Sequence, residues 1–168
     1  PNINPMGVYE REFEVKSIDK ETYIVFEGVS SCAVLFINGK YVGFTQGSHL
    51  QAEFKITKYV KEGINTIRVN VYKWCCSTYI EDQDMFRYNG IFRDVYLLSR
   101  PKGHIKDIHI TTEDNKISIE FDGEAELCLL NAEGQVIEKK SGKNTASFNV
   151  ENPVLWNAEN PYLYTVVV

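Results

Sequence analysis

Alternation of side chains with a period of two residues is the feature of this sequence that most restricts its fold. Because successive side chains of a strand point to opposite faces, alternation between an apolar and a charged set indicates a half-buried β-strand with one solvated side. The first such segment has one face made of Tyr9, Arg11, Phe13 and Val15 and an opposite face made of Glu10, Glu12, Glu14 and Lys16. Similar segments recur along the chain, so the sequence predicts an all-β protein.

Turn signals separate these segments. The pair Asn38-Gly39 supplies the left-handed residues that a two-residue hairpin loop requires. One helical turn is expected at 57–62, ended by Gly63, and no other segment has the pattern of a helix. The other predicted strands lie at 22–29, 32–37, 41–44, 64–73, 91–98 and 161–168.

A linker divides the chain into two predicted domains. The segment 99–103 is polar, contains proline and glycine, and lies between two strand-like runs. Beyond it the strands become shorter, and Asp122-Gly123 and Glu133-Gly134 are turn signals at the spacing of a small antiparallel sandwich. We therefore predict two all-β domains, 1–100 and 104–168.

Composition excludes several classes of protein. The chain has 168 residues, is 43% hydrophobic and carries a net charge of −5 without a basic cluster, which argues against a nucleic-acid partner. No apolar run approaches the roughly 20 residues that span a bilayer, so we expect no membrane partner. No signal peptide is visible, which favours a cytoplasmic protein; because the chain starts at Pro1 without Met, a periplasmic or secreted protein stays open.

The cysteines and histidines do not form a metal-binding pattern. No CxxC occurs, and zinc-ligand spacing is absent. We expect buried free thiols in a reducing compartment and three isolated histidines with surface or structural roles. The residues concerned are Cys32, Cys75, Cys76, Cys128, His49, His104 and His109.

An acidic run is the strongest candidate for function. Glu81, Asp82 and Asp84 fall within four residues, between two β-prone stretches. Since unpaired charge is costly to bury, these carboxylates must be solvated, paired with cations or used on a ligand. Arg87 and Arg93 are near enough in sequence to pair with them.

Several stretches together carry a family pattern in a fixed order over nearly the whole chain. They are the hairpin 36–43, the strand 50–57, the residues Gly63, Asn65, Ile67 and Val69, the acidic run 81–95, and the segments 152–156 and 160–164. In these stretches the chain resembles the amino-terminal region of family-two glycoside hydrolases, in the β-galactosidase branch.

The resemblance implies a fold for this chain and places catalysis in a different domain. It implies a sugar-binding-type jelly-roll β-sandwich, truncated at its amino end, followed by a small immunoglobulin-like β-sandwich. A catalytic (β/α)₈ barrel follows in such retaining β-galactosidases and carries both catalytic glutamates, whose carboxyl groups stand roughly 5–5.5 Å apart. We assign no catalytic residue in this chain and expect it to hydrolyse nothing alone. The intact enzyme would release terminal non-reducing β-D-galactose from β-D-galactosides.

The resemblance gives Asp84 a role in substrate and metal binding. In the family, the matching aspartate contacts the region of the galactosyl 6-hydroxyl and helps to ligate Na⁺, while Mg²⁺ belongs to the barrel. This fragment itself is expected to hold no cofactor. The partners implied are the barrel of the same parent chain and a β-galactoside, and a homo-oligomeric parent stays open. The alternative is that Asp84 pairs with Arg87 or caps a turn.

The neighbours of Asp84 are interpreted as structural. Glu81 and Asp82 are expected to hold the loop by hydrogen bonds and salt bridges, and aromatic side chains are expected to pack rather than to stack on a sugar. The expected salt-bridge partners are Arg87, Arg93 and Asp94; the expected packing residues are Trp74, Tyr79, Met85, Phe86 and Tyr88.

The amino-terminal segment gives two further expectations. The family's active-site asparagine lies upstream of this sequence, so neither Asn2 nor Asn4 takes its role. A jelly roll without its opening strands has an exposed edge, which is a place where another copy can pair.

Two other functions stay open. One is a free-standing carbohydrate-binding module that holds sugars by itself. The other is the same pair of domains from a β-glucuronidase or β-mannosidase, against which the acidic run argues.

Overall fold

The computed structural model describes residues 3–81, 84 and 86–168. It divides into two compact units, Pro1–Lys102 and Gly103–Val168. Antiparallel strands dominate both units, and the predicted all-β fold class is confirmed. No helix among the described residues is long and apolar enough to cross a bilayer.

The first unit contains nine strands and one short helix among its described residues. They are β1 (Met6–Val15), β2 (Glu21–Phe26), β3 (Val29–Ser30), β4 (Cys32–Ile37), β5 (Lys40–Gln46), β6 (Ala52–Lys55), β7 (Gly63–Tyr72), α1 (Cys76–Ile80), β8 (Gly90–Ile91) and β9 (Val95–Arg100).

Two antiparallel sheets of the first unit enclose its core. One has the strand order β1-β7-β4-β5 and the other the order β6-β2-β9, while β3 and β8 form a separate pair. Alternate side chains from both sheets are buried against each other, as expected of a sandwich. The largest buried apolar side chains of this core include Ile24, Phe26, Leu35, Ile37, Ile56 and Val69.

The predicted hairpin at Asn38-Gly39 is confirmed and joins β4 to β5. Both residues have positive φ, 50° and 76°, which is the conformation that the turn requires. The Asn38 amide also donates to the carbonyl of Tyr59 at 3.0 Å and to Oδ1 of Asn65 at 2.8 Å. The turn is therefore tied to the segment that leads into β7.

Strand β1 is less covered than its pattern predicts. Val15 is buried and Phe13 is half-buried, but Tyr9 is 44% exposed and Arg11 is exposed. The reason is the unequal strand count, because a sheet of four strands faces a sheet of three. At one edge β5 faces β6, where a Cβ on Gly43 would lie 3.0 Å from the Phe54 ring. At the other edge β1 extends beyond the three-stranded sheet, and Tyr9 lies against Gly90 of β8.

Two other local expectations need correction. The helix α1 lies where no helix is predicted. The segment 57–62 forms the single turn that the sequence predicts, in which the Ile56 carbonyl accepts from the backbone N–H groups of Tyr59 and Val60. The four cysteines are free, as expected, but none is fully buried: Cys76 is exposed, and Cys32, Cys75 and Cys128 are half-buried.

The second unit consists of one antiparallel sheet. Its strands are β10 (Ile108–Glu113), β11 (Lys116–Leu130), β12 (Val136–Asn149) and β13 (Thr165–Val167), in the order β10-β11-β12 with β13 paired to β11. The predicted turn at Asp122-Gly123 is wrong, because these residues lie in a register shift inside β11. The predicted turn at Glu133-Gly134 is confirmed: it joins β11 to β12.

Candidate functional site

The acidic run follows a short helix that positions its first carboxylate. The Cys75 N–H donates to Oγ1 of Thr78 at 3.1 Å, which satisfies a backbone donor just before α1. At the other end the Glu81 N–H donates to the carbonyl of Ser77 at 2.7 Å. Glu81 therefore occupies a fixed position at the end of α1.

Glu81 is held by a turn from a distant part of the unit. Its carboxylate accepts hydrogen bonds from the backbone N–H of Ser48, at 3.1 and 3.3 Å, and from the Ser48 hydroxyl at 2.8 Å. Gly47 has a φ of 104° and sets up this turn. The structural role expected for Glu81 agrees with these contacts, although the partner is a serine rather than an arginine.

Within the part of the chain that the structure describes, neither Arg87 nor Arg93 forms an ion pair with Glu81 or Asp84. Arg87 donates to the Thr78 carbonyl at 3.4 Å. Arg93 donates to the carbonyls of Glu27 and His49, at 3.3 and 3.1 Å, and its guanidinium lies 5.4 Å from the centre of the Phe92 ring. Arg93 therefore contacts backbone carbonyls and forms no ion pair with Glu81 or Asp84, while Asp82 lies outside the described residues.

Asp84 is the second carboxylate of the acidic run that the structure describes. Its side chain is exposed, and no hydrogen bond or ion pair joins it to another residue of the described chain. Neither pairing with Arg87 nor turn capping is seen for Asp84 in these residues. Asp94, which was also expected to form a salt bridge in this loop, forms no ion pair with another described residue. Asn2, Asp82 and Met85, which also carry predictions, lie outside the described residues.

Aromatic rings pack beside the run. Tyr88 stacks on Phe92 with ring centres 4.7 Å apart, and the His49 ring lies 5.3 Å from that of Phe92. Trp74 stacks on Tyr79 at 6.5 Å. These contacts favour ring packing over sugar stacking, and they show that His49 is not isolated. Phe86 was expected to pack onto the protein, but its side chain is 80% exposed. Its ring contacts that of Tyr88.

A cavity of about 250 Å³ opens beside Glu81. Its wall is mostly apolar, with serine hydroxyls, one carboxylate and two cations among aromatic rings, a mixture typical of ligand pockets. The lining includes Ser31, Ser48, Lys73, Trp74, Glu81, Arg87 and Tyr88.

Asn4 has a structural role. Its side-chain amide donates to the Trp74 carbonyl at 2.9 Å, and its carbonyl oxygen accepts from the Trp74 N–H at 2.9 Å. Both polar ends of Asn4 are thereby occupied by the backbone of Trp74. The sequence gives no signal for this contact between residues so far apart.

The described residues supply little to a metal ion. They contain no group of three or more His, Cys, Asp or Glu side chains arranged to hold one. Asp84 offers a single exposed carboxylate, which is a hard oxygen ligand of the kind that alkali and alkaline-earth cations take. One such ligand fits a shared site and is too few to hold an ion without other donors.

Cysteine 75, at the start of α1, has an unusual environment that the sequence did not indicate. Burial raises the pKa of its thiol, but hydrogen bonds from Ser77, at 2.9 Å, and Thr78 outweigh burial and lower the pKa below its ordinary value. Burial raises the pKa of Cys32. The pKa values of the two thiols are therefore shifted in opposite directions.

Comparison with known sequences covers most of the chain. The profile described as "Glycosyl hydrolases family 2, sugar binding domain" matches residues 1–101, and that described as "Glycosyl hydrolases family 2" matches residues 120–168. The chain is 39% identical over 181 residues to a β-galactosidase of Staphylococcus xylosus, covering 100% of this chain and 18% of that protein. It is 39% identical over 207 residues to a β-galactosidase of Kluyveromyces lactis, covering 98% and 20%.

Comparison with solved structures supports the fold. A β-glucuronidase of Bacteroides uniformis matches with a TM-score of 0.75 and 22% identity, covering 98% of this chain and 24% of that chain. At this identity the likeness concerns the fold alone. The chain spans about a fifth of the length of the curated relatives described above.

Proposed function

Because the chain belongs to glycosyl hydrolases family 2, we propose that it forms the amino-terminal, non-catalytic part of a retaining β-galactosidase. The parent enzyme would hydrolyse terminal β-D-galactose residues of β-galactosides, and a catalytic barrel elsewhere in the parent would carry the two glutamates. Relatives named β-galactosidase, at 39% identity over nearly the whole chain, support this choice of substrate.

One observation carries the role proposed for this chain. Glu81 is anchored to Ser48, whereas Asp84, three residues further on, is exposed and has no partner in the described chain. Since an unpaired surface carboxylate gains nothing from its own unit, Asp84 is free to accept hydrogen bonds from sugar hydroxyls. We propose that Asp84 completes a galactose site whose other groups lie on the barrel.

Asp84 would also contribute one oxygen ligand to a shared Na⁺ site. Sodium supplies positive charge beside the sugar hydroxyls when it is bound. The remaining ligands would have to come from the barrel, because the described residues near Asp84 contain no group able to hold a cation alone.

The decisive experiment compares two neighbouring carboxylates in the parent enzyme. We expect Asp84→Asn to lower kcat/KM for a nitrophenyl β-galactoside about tenfold or more, the loss of one charge-assisted hydrogen bond, and to weaken the dependence on Na⁺. We expect Glu81→Gln to have a smaller effect, through loop position alone. Equal losses in kcat/KM and unchanged Na⁺ dependence would remove the role given to Asp84.

The isolated chain provides an independent test. It should not hydrolyse nitrophenyl β-galactoside, and calorimetry with galactose and lactose should give no saturation below about millimolar sugar, which corresponds to a binding free energy weaker than about −4 kcal/mol. Tighter binding would favour a free-standing carbohydrate-binding module. Turnover of a β-glucuronide or β-mannoside by the parent, with none of a β-galactoside, would change the substrate.

A further inference from the structure

One turn of the first unit contacts the acidic run at both of its ends. The turn consists of residues 47–50, which follow β5, and its Leu50 N–H donates to the Gly47 carbonyl at 3.1 Å. Gly47 has a φ of 104°, in the left-handed region that favours glycine. We call this segment the 47–50 turn. Its two central residues, Ser48 and His49, each contact a different end of the run.

Ser48 holds the upstream end of the run. It is 5% exposed, and its backbone N–H and its hydroxyl both donate to the Glu81 carboxylate, at 3.1 and 2.8 Å. Hydrogen bonds to a charged acceptor are stronger than neutral ones, and burial of the donor limits competition from water. The position of Glu81 therefore follows that of the 47–50 turn.

His49 holds the downstream end of the run. Its ring centre lies 5.3 Å from that of Phe92 and 6.1 Å from that of Tyr88, and Tyr88 stacks on Phe92 at 4.7 Å. The His49 carbonyl accepts from Arg93 at 3.1 Å, so the backbone of the turn is attached to the same segment. The three rings and this hydrogen bond keep Tyr88 beside the 47–50 turn.

Asp84 lies between these two anchors in the chain. It is three residues after Glu81 and four before Tyr88. Since a chain spans at most about 3.6 Å per residue, the Cα of Asp84 lies within about 11 Å of that of Glu81 and within about 14 Å of that of Tyr88. The 47–50 turn holds both residues from which these limits are measured, so a shift of either anchor changes the region that Asp84 can occupy.

Asp84 depends on these anchors for its position. Its side chain is exposed, and no hydrogen bond or ion pair joins it to another residue of the described chain. A ligand-binding group that is held in place before its ligand arrives loses less conformational freedom on binding. For Asp84, this order has to come through the backbone on either side of it.

We propose that Ser48 and His49 are positioning residues for Asp84. They hold the two ends of the acidic run, and through the run they set where the Asp84 carboxylate meets the galactosyl hydroxyls and Na⁺. This inference rests on the function proposed for Asp84.

The first test measures the Na⁺ concentration that half-activates the parent enzyme on a nitrophenyl β-galactoside, with KM and kcat at saturating Na⁺. Ser48→Ala removes the hydroxyl bond to Glu81 and keeps the backbone bond. His49→Leu removes the ring and keeps the backbone carbonyl, and His49→Phe keeps a ring. The matched control is Ser17→Ala, because the Ser17 hydroxyl also donates to a carboxylate, that of Asp19 at 2.6 Å, in an exposed segment outside the run.

We expect Ser48→Ala and His49→Leu each to raise the half-activating Na⁺ concentration and KM about threefold to fivefold, the effect of one lost hydrogen bond or ring contact. The value of kcat at saturating Na⁺ should change less. His49→Phe and Ser17→Ala should behave as the unchanged enzyme. Combined with Asp84→Asn, Ser48→Ala should add less than about twofold, because a positioning residue loses its effect when the group that it positions is removed.

The second test follows the anchors without any activity. In hydrogen exchange of this chain, Ser48→Ala and His49→Leu should speed exchange in peptides that cover residues 78–88, whereas Ser17→Ala should not. Peptides from β4 and β7 should exchange as in the unchanged chain, which shows that the sandwich is intact.

Four results would overturn the inference. Unchanged exchange of residues 78–88 in both variants would show that the turn does not hold the run. An equal effect of Ser48→Ala with and without Asp84→Asn would make its role merely structural. A change in Na⁺ dependence in Asp84→Asn but not in Ser48→Ala would overturn this inference alone. No change in Asp84→Asn would overturn the function proposed for Asp84 and this inference with it.

Discussion

The carboxylate of Glu81 accepts hydrogen bonds from both the backbone N–H and the hydroxyl of Ser48, a residue 33 positions earlier in the chain. This contact fixes the end of α1 to the turn after β5. Asp84, three residues later, is left exposed. Among the described residues, the acidic run thus has one carboxylate that is anchored to a distant turn and one that is exposed.

Removing the charge of Glu81 should loosen this anchor. Glu81→Gln keeps the size of the side chain but loses charge-assisted hydrogen bonds to Ser48, and we expect the free energy of unfolding to fall by about 1 kcal/mol. Urea unfolding and the exchange rate of the Ser48 amide measure the effect. Glu124→Gln, which breaks an exposed ion pair with Lys143, should change stability by less than about 0.5 kcal/mol. A Ser48 amide that exchanges no faster in Glu81→Gln would argue against the anchor.

Gly90 is restricted by both its backbone and its surroundings. Its φ is 85°, and an added Cβ would lie 2.5 Å from the Tyr9 hydroxyl. Gly90→Ala should destabilise the first unit by about 2–3 kcal/mol, from backbone strain and overpacking together. Gly63→Ala is the matched control, because Gly63 has a φ of 84° with nothing within 4 Å. It should cost about 1 kcal/mol in thermal or urea unfolding.

Combining Gly90→Ala with Tyr9→Phe should recover part of the loss. The double variant removes the hydroxyl oxygen that meets the new methyl group but leaves the backbone strain. Equal destabilisation by Gly90→Ala and Gly63→Ala would show that the contact with Tyr9 has no effect on stability.

Asn65 is the centre of a buried polar network. It is 1% exposed, accepts from the Asn38 amide and the Lys61 N–H, and donates to the carbonyls of Lys61 and Gly63. Asn65→Ala would leave these groups unpaired, and we expect a loss of about 2–4 kcal/mol in urea unfolding. Asn70→Ala, a less buried position on the same strand, should cost less than about 1 kcal/mol. A loss of similar size in the two variants would contradict this account.

The thiols of Cys75 and Cys32 should react over different pH ranges. Because hydrogen bonds lower the pKa of Cys75 and burial raises that of Cys32, the Cys75 thiolate, which is the nucleophile, forms at lower pH. Alkylation by iodoacetamide, followed by mass spectrometry over a pH series, should show the Cys75 rate rising first. Ser77→Ala should move the Cys75 profile to higher pH. A Cys32 profile at or below that of Cys75 would refute the assignment.

Local chemistry made parts of the fold predictable from the sequence. Asn38-Gly39 specifies its hairpin because both residues tolerate positive φ. The helix α1 escaped prediction because five residues are too few for an amphipathic pattern. Asp122-Gly123 was misassigned because the same residues that form turns also form bulges, and only pairing with β12 distinguishes them.

The partners of Glu81 and Arg93 could not be predicted from the sequence, because they are long-range contacts. The acidic run itself was evident, but Ser48 as the partner of Glu81 carries no local signal. Arg93 was assigned to a carboxylate on sequence proximity, whereas its donors meet carbonyls of Glu27 and His49 that only the folded chain brings near. The functional role of Asp84 stays a prediction.

The paired hydrogen bonds between Asn4 and the backbone of Trp74 couple the first described residues to the segment that enters α1. Proteolytic removal of Asn4, or a bulky affinity tag fused directly before it, would therefore disturb the backbone at Trp74, 70 residues away. Variants of the acidic run are best compared in protein that keeps Asn4 and the residues before it. Otherwise, damage from purification would be mistaken for an effect of the substitution.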